Sequence, residues 1–229
     1  MRAPFPILYE DNHLLVVSKP VGVLSQEDFS NRPDILTMAK NYIKERDEKP
    51  GNVFMGLVHR LDAQVSGVMV LAKTSKAASR LSDQIRKRTV KKKYLAVVEG
   101  VPAPSGVMTD WLRKDGARNL VEVVPEGTPG AKRAELLYQR LGSSMGMSLV
   151  EVLLVTGRPH QIRVQLANAG HPLVGDRKYG GRPDGAIALF SWQFELMHPT
   201  RKETLTFEAE APSTFPWNRF AGKGLPVKH

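Results

Sequence analysis

Short apolar runs, most of strand length, alternate along this chain with polar turns. Ile7–Glu10 and His13–Ser18 read as strands, the second closed by the turn signal Lys19-Pro20-Val21-Gly22. Asp34 is placed to cap a helix reaching about Arg46, because Ile35, Met38, Ala39, Tyr42 and Ile43 recur at helical spacing. Gly67–Ala72 is a short apolar strand. A second amphipathic helix follows, capped by Ser75, with Ala78, Leu81, Ser82 and Ile85 inward and basic residues outward. Tyr94–Val98 reads as a strand ending at Gly100. Val107–Leu112 with Leu120–Val124 forms a hairpin turning at Asp115-Gly116, and Pro125–Gly130 is loop. Ala134–Leu141 and Met147–Val155 form a second hairpin around Gly142–Gly146. Pro159 opens a helix that Gly170 closes. Ala186–Leu196 and Glu203–Glu210 make a last hairpin turning at His198-Pro199. Strand pairs dominate and helices do not alternate with them, so the expected class is α+β with a mixed, largely antiparallel sheet. No linker or repeat divides the chain. One domain over residues 1–229 is expected, with a Gly-, Pro- and Lys-rich tail loosely held from about Trp217.

Composition narrows the function. The chain has 229 residues, 41% of them hydrophobic, which suffices for a real core. No apolar run approaches the roughly 18 residues of a membrane span, and Glu10 and Asp11 interrupt any leader-like segment. Cysteine is absent, which removes disulfides, thiolate metal sites and Cys nucleophiles and fits a reducing, cytoplasmic setting. The formal charge of +10 is unevenly spread. Residues 1–72 carry a net −1 and residues 94–229 a net +3. The 21 residues 73–93 carry +8, with Asp83 their only acid. A solvated face usually mixes signs. This one resembles the patches that track phosphates, so Lys73, Arg86, Lys87, Arg88, Lys91, Lys92 and Lys93 are candidate nucleic-acid backbone contacts.

Several chemistries are disfavoured. Gly142-Ser143-Ser144-Met145-Gly146 matches G-x-S-x-G, but a strand follows it where a nucleophile elbow needs a helix. The histidines and carboxylates around His59, Asp62, His160 and His171 are interleaved with arginine, which disfavours a metal. No glycine fingerprint for a nucleotide cofactor is present. A hydrolase using Asp62 with a second carboxylate would need that partner about 5–10 Å away, and the segment around it, His59 to Thr74, supplies none. Asp62 reads either as a loop aspartate before the Gly67 strand or as a nucleophile. The second reading needs a compensating cation, for which Arg163 is a candidate.

The motifs around these residues resemble the RluA-type pseudouridine synthases. His59-Arg60-Leu61-Asp62 with Ser66-Gly67 and Val70-Leu71-Ala72-Lys73-Thr74 is similar to the family's catalytic motif. Lys19-Pro20-Val21-Gly22, Lys93-Tyr94-Leu95-Ala96-Val97-Val98-Glu99-Gly100, Gly157 to Arg163, and His171 to Asp176 with Tyr179-Gly180 follow in the family's order, covering about residues 7–210. The resemblance implies the pseudouridine synthase fold and isomerisation of uridine in RNA without metal or cofactor. It makes Asp62 the catalytic aspartate. Arg60 would fill the gap left by a flipped base or hold the displaced RNA, Tyr94 would stack on the uracil, Arg163 would pair with Asp62, and Leu189 would wall the pocket. His59 and Gln161 are expected as scaffold, and Lys19 as either a turn residue or a phosphate contact. The chain departs from the family pattern at Phe190 and Gln165, where histidines are common. The motifs begin by residue 7, so the family's S4 domain is expected to be absent. The partner implied is an rRNA or tRNA stem-loop, with no membrane and no obligate protein partner, and the chain is expected to be a monomer. A catalytically silent RNA-binding module on the same fold is the alternative, and it differs in whether Asp62 is used.

Overall fold

In the computed structural model, residues 3–222 and Leu225 are described. Contacts divide the chain into two compact units. One comprises the described residues to Lys91 with Ser191–Ala209, and the other comprises Lys92–Phe190 with the described residues from Glu210.

The first unit contains β1 (Ile7–Glu10), β2 (Leu14–Lys19), α1 (Ile35–Arg46), β3 (Gly56–Leu57), β4 (Ser66–Ala72) and α2 (Ser75–Arg86). The chain returns to it with the last part of β10 (Leu189–Met197) and with β11 (Thr204–Glu208). The sheet runs β1-β2-β4-β10, with β11 on β10 and β3 on the end of β4. β2 is antiparallel to β4 from Leu14↔Ala72 to Lys19↔Gly67. Both faces of these central strands are covered, so Leu14–Val17 and Val68–Ala72 are fully buried and read as continuous apolar runs. Gly67 has φ +113°, and a Cβ there would lie 2.1 Å from the Ser191 carbonyl oxygen. Only glycine lets β4 and β10 approach this closely.

Asp34 caps α1 as expected, its carboxylate accepting from the Thr37 N–H at 2.9 Å. In α2 the cap is Thr74, one residue earlier than expected, accepting from the Ala77 N–H. The frame moves with it. Ala77 and Leu81 are buried, while Ser82 is exposed.

The second unit contains β5 (Lys91–Glu99), β6 (Ser105–Asp115), β7 (Leu120–Val124), β8 (Lys132–Ser144), β9 (Met147–Leu154), α3 (Gln161–Asn168), a 3-10 turn at Arg177–Tyr179 and the start of β10. Its strands run β5-β9-β8-β6-β7, each antiparallel to the next. Leu112, Val121, Ala134 and Val164 form a core cluster that joins α3 to β6–β8. The β8–β9 turn is tighter than the expected Gly142–Gly146, because both strands continue to Ser144 and Met147, with a bulge between Arg140 and Gly142. The G-x-S-x-G match therefore lies in a hairpin. The third helix starts at Gln161, not at Pro159, because His160 takes a left-handed conformation (φ 50°). The start of the expected loose tail, at Trp217, is held in place. Trp217–Phe220 form a 3-10 turn in which Trp217 and Phe220 are buried, and the Trp217 ring packs edge-on to Phe190. Two large apolar side chains outweigh the Gly/Pro/Lys composition around them. Residues 223, 224 and 226–229 of that tail lie outside the described residues.

Candidate active site

Asp62 precedes the Ala63-Gln64 turn that feeds β4, and the Val65 N–H closes that turn on the Asp62 carbonyl at 2.9 Å. Three contacts hold this loop from outside. The Ser25 hydroxyl donates to the Leu61 carbonyl (2.7 Å) and accepts from the Leu61 N–H (2.9 Å). The Gly22 N–H donates to the Ala63 carbonyl (2.8 Å). Lys19, fully buried, donates to the carbonyls of Pro20 (3.0 Å), Val23 (2.6 Å) and Ala63 (3.3 Å). Lys19 therefore ties the Lys-Pro-Val-Gly turn to the residue after Asp62. Its burial leaves it no reach to an RNA phosphate. That burial pushes its ammonium down to about 8, against the pull of the Asp62 carboxylate, which favours the charged form.

His59 also belongs to the frame. Its Nε2 accepts from the Val70 N–H at 3.0 Å, just past the two-residue β3–β4 ladder, so an imidazole continues the pairing where the strand ends. Its ring packs on Phe194, with centroids 4.7 Å apart. Between His59 and Asp62, Leu61 points inward and Arg60 is exposed. An inward anchor beside an outward cation keeps Arg60 available to a ligand in solvent.

In the second unit, Tyr94 is buried in the middle of β5 opposite Val152. Leu189, at the start of β10, is buried as well, and alternation along the strand turns Phe190 the other way, toward Trp217. Arg163, in α3, forms a buried bidentate pair with Asp176: Nε to Oδ2 at 2.7 Å and Nη2 to Oδ1 at 2.8 Å. The face of its guanidinium lies 5.0 Å from the Tyr179 ring centroid. The Tyr179 hydroxyl meets His160 Nδ1 at 2.7 Å and accepts from the Val121 N–H at 3.0 Å. Asp176 and Tyr179 were visible only as motif letters; their service to Arg163 was not.

Gln161 is scaffold. Its Oε1 accepts from Thr156 Oγ1 and the Arg158 N–H, and its Nε2 donates to the Glu135 carbonyl. Gln165 donates to Asp110 at 2.6 Å, while its buried Oε1 has no hydrogen-bond partner.

The basic segment divides by environment. Lys73 turns inward onto Glu10 at 2.7 Å, which Arg46 also holds. Arg86 and Lys87, largely exposed, share Asp83, and Arg88 is exposed beyond them. Lys91 pairs with Glu195 at 2.7 Å and Lys93 with Glu151 at 3.2 Å. Lys92 lies on the opposite face of β5 from these two and is largely desolvated. Among the described residues, no helix is long and apolar enough to cross a membrane.

Comparison with known proteins shows the family. The family model for RNA pseudouridylate synthase matches residues 13–168, which include Asp62, Tyr94 and Arg163. The chain is 36% identical over 222 residues to a ribosomal large subunit pseudouridine synthase D of Nitrosomonas europaea, covering 91% of this chain and 62% of that one. It is 33% identical to the protein of that name from Zymomonas mobilis, covering 91% of this chain and 70% of the relative. The solved structure of human RNA pseudouridylate synthase domain containing 4 superposes with a TM-score of 0.79 at 25% identity, covering 98% of this chain and 95% of that one. With its motifs in order, its mixed, mostly antiparallel sheet, and a family model spanning most of its length, the chain belongs to the RNA pseudouridylate synthase family.

Proposed function

We propose that the protein isomerises specific uridines in RNA to pseudouridine, with Asp62 as the catalytic residue. The observation that carries this reading is the held loop: Lys19, Ser25 and Gly22 fix the backbone on either side of Asp62 and leave Arg60 exposed beside it. Such a frame suits a carboxylate that must meet one atom of a flipped nucleotide.

The reaction is redox-neutral and consumes no co-substrate. The C1′–N1 bond breaks, the freed uracil turns, a C1′–C5 bond forms, C5 loses its proton and N1 gains one. Asp62 acts on the target uridine, whether by attack at C1′ or otherwise. Tyr94 stacks on the uracil, and its phenol assists removal of the C5 proton. Arg163 pairs with Asp62 and aims it, Leu189 walls the pocket, and Arg60 holds the RNA from which the base departs. The two compact units serve this as one catalytic domain. The outward part of the basic segment, Arg86, Lys87, Arg88 and Lys91, tracks the RNA backbone. The substrate is an rRNA or tRNA stem-loop, and the enzyme works as a cytoplasmic monomer.

The experiment is incubation of the protein and its Asp62→Asn variant with unmodified RNA, followed by chemical mapping of pseudouridine. Product from the wild type and none from the variant is expected. Failure of the wild type on both rRNA and tRNA overturns the reading.

A further inference from the structure

Lys92 stands apart from the other cations of its segment. Lys73, Arg86, Lys87, Lys91 and Lys93 each contact a carboxylate. The Lys92 ammonium has no hydrogen bond or ion pair with any described residue, yet it is largely withdrawn from water. Its surroundings explain the withdrawal. It shares a face of β5 with the buried Tyr94, two residues or roughly 6.7 Å along the strand. Across the ladder Tyr94 faces Val152, and Leu154 follows on β9. On the remaining side is Gly157, where a Cβ would lie 3.2 Å from Lys92 Nζ. Absence of a side chain at Gly157 thus leaves the ammonium its room.

A desolvated cation without a counter-ion is unfavourable in the free protein, so its natural partner is an anion brought from outside. We propose that Lys92 binds a phosphodiester of the RNA substrate adjacent to the nucleotide that stacks on Tyr94, which makes it a substrate-positioning residue. The proposal rests on the reading of the chain as an RNA-modifying enzyme. It assigns Lys92 a role distinct from that of the exposed Arg86, Lys87 and Arg88, because a partly dehydrated ammonium holds one phosphate at a fixed place whereas exposed cations attract many loosely.

The test is binding of an unmodified large-subunit rRNA transcript to full-length protein carrying Asp62→Asn, so that turnover plays no part. In that background Lys92→Met should weaken binding about tenfold and make the salt dependence shallower by about 0.7–0.9 in log–log slope, one phosphate's worth. Lys92→Arg should restore most of the slope. The melting temperature of Lys92→Met should stay level or rise, since an unpaired buried charge is removed. Unchanged affinity and slope overturn the proposal, and so does a lower melting temperature without a change of slope, which would mark a structural role. If the wild type makes no pseudouridine, the enzymatic reading fails while this binding result still decides the case of Lys92.

Discussion

Arg163 and Asp176 form a two-pronged ion pair at 2.7 and 2.8 Å, with both side chains almost entirely buried. The pair links α3 to the loop of Gly175 and Gly181, where a Cβ at either glycine would lie within 2.3 Å of a carbonyl oxygen. A helix carrying a candidate active-site arginine is thereby fixed to a loop that cannot shift. Asp176→Ala leaves a buried guanidinium without this partner and should cost about 3–5 kcal/mol. Urea denaturation measures it, and a loss below about 1 kcal/mol would mean the pair does not hold the unit together. Arg163→Ala should lose comparable stability and, in addition, pseudouridine formation.

Lys19 makes the stability of the first unit depend on alkaline pH. Its folded-state value of about 8 lies below the ordinary 10.5, so between those values the unfolded chain binds more protons. Stability then rises with pH across that window, by roughly 3 kcal/mol at most. Comparing wild type with Lys19→Met by denaturant titration from pH 7 to 10.5 isolates this contribution. A difference that stays flat with pH would show that the ammonium is not desolvated.

Asp11 acts in the acid range, and there too stability rises with pH. Burial disfavours its charge, but the His13 and Leu14 N–H groups, the Tyr9 hydroxyl and His198 outweigh it and hold the carboxyl at about 2. Its contribution, about 2 kcal/mol, is present above pH 4 and lost as pH falls toward 2. Asp11→Ala should therefore be destabilised at pH 7 and should converge on wild type near pH 2. A constant gap in thermal melting across that range would rule this out.

Gly67→Ala should be severe, because the added methyl meets the Ser191 carbonyl and φ is +113°. A drop of several kcal/mol, or no soluble protein, is expected. Near-wild-type melting would mean that β4 and β10 separate more easily than their contact implies.

The exposed and inward members of the basic segment should behave differently. Neutralising Arg86, Lys87 and Arg88 together should flatten the salt dependence of RNA binding with little effect on folding. Lys73→Met should do the reverse, since its ammonium serves Glu10. Filter binding across a salt series, paired with melting curves, separates the two outcomes.

Much of this was readable from sequence because strands announce themselves by local alternation. The hairpins and Asp34-capped α1 follow their residue patterns closely. What escaped was non-local. Pro159 suggested a helix start, but the left-handed turn at His160 moves it to Gln161. Trp217 and Phe220 are anchored by packing on distant residues, which composition does not show. At the site, the family resemblance pointed to Asp62, Tyr94 and Arg163. Nothing in Lys-Pro-Val-Gly distinguishes a surface turn from a lysine sealed against carbonyls, and the Arg163–Asp176 pair joins residues through a folded loop. Charge counting likewise saw a uniform run where burial and ion pairing make several kinds of lysine.

The clasp around Asp62 has an evolutionary corollary. Lys19 grips main-chain oxygens of Pro20, Val23 and Ala63, and Gly22 uses main-chain atoms alone. None of these contacts reads a side chain on the loops it joins. Val21 and Gln64, both exposed there, are free to vary without loosening the carboxylate. The rim can therefore diverge toward new RNA shapes while the chemistry beneath it is inherited intact.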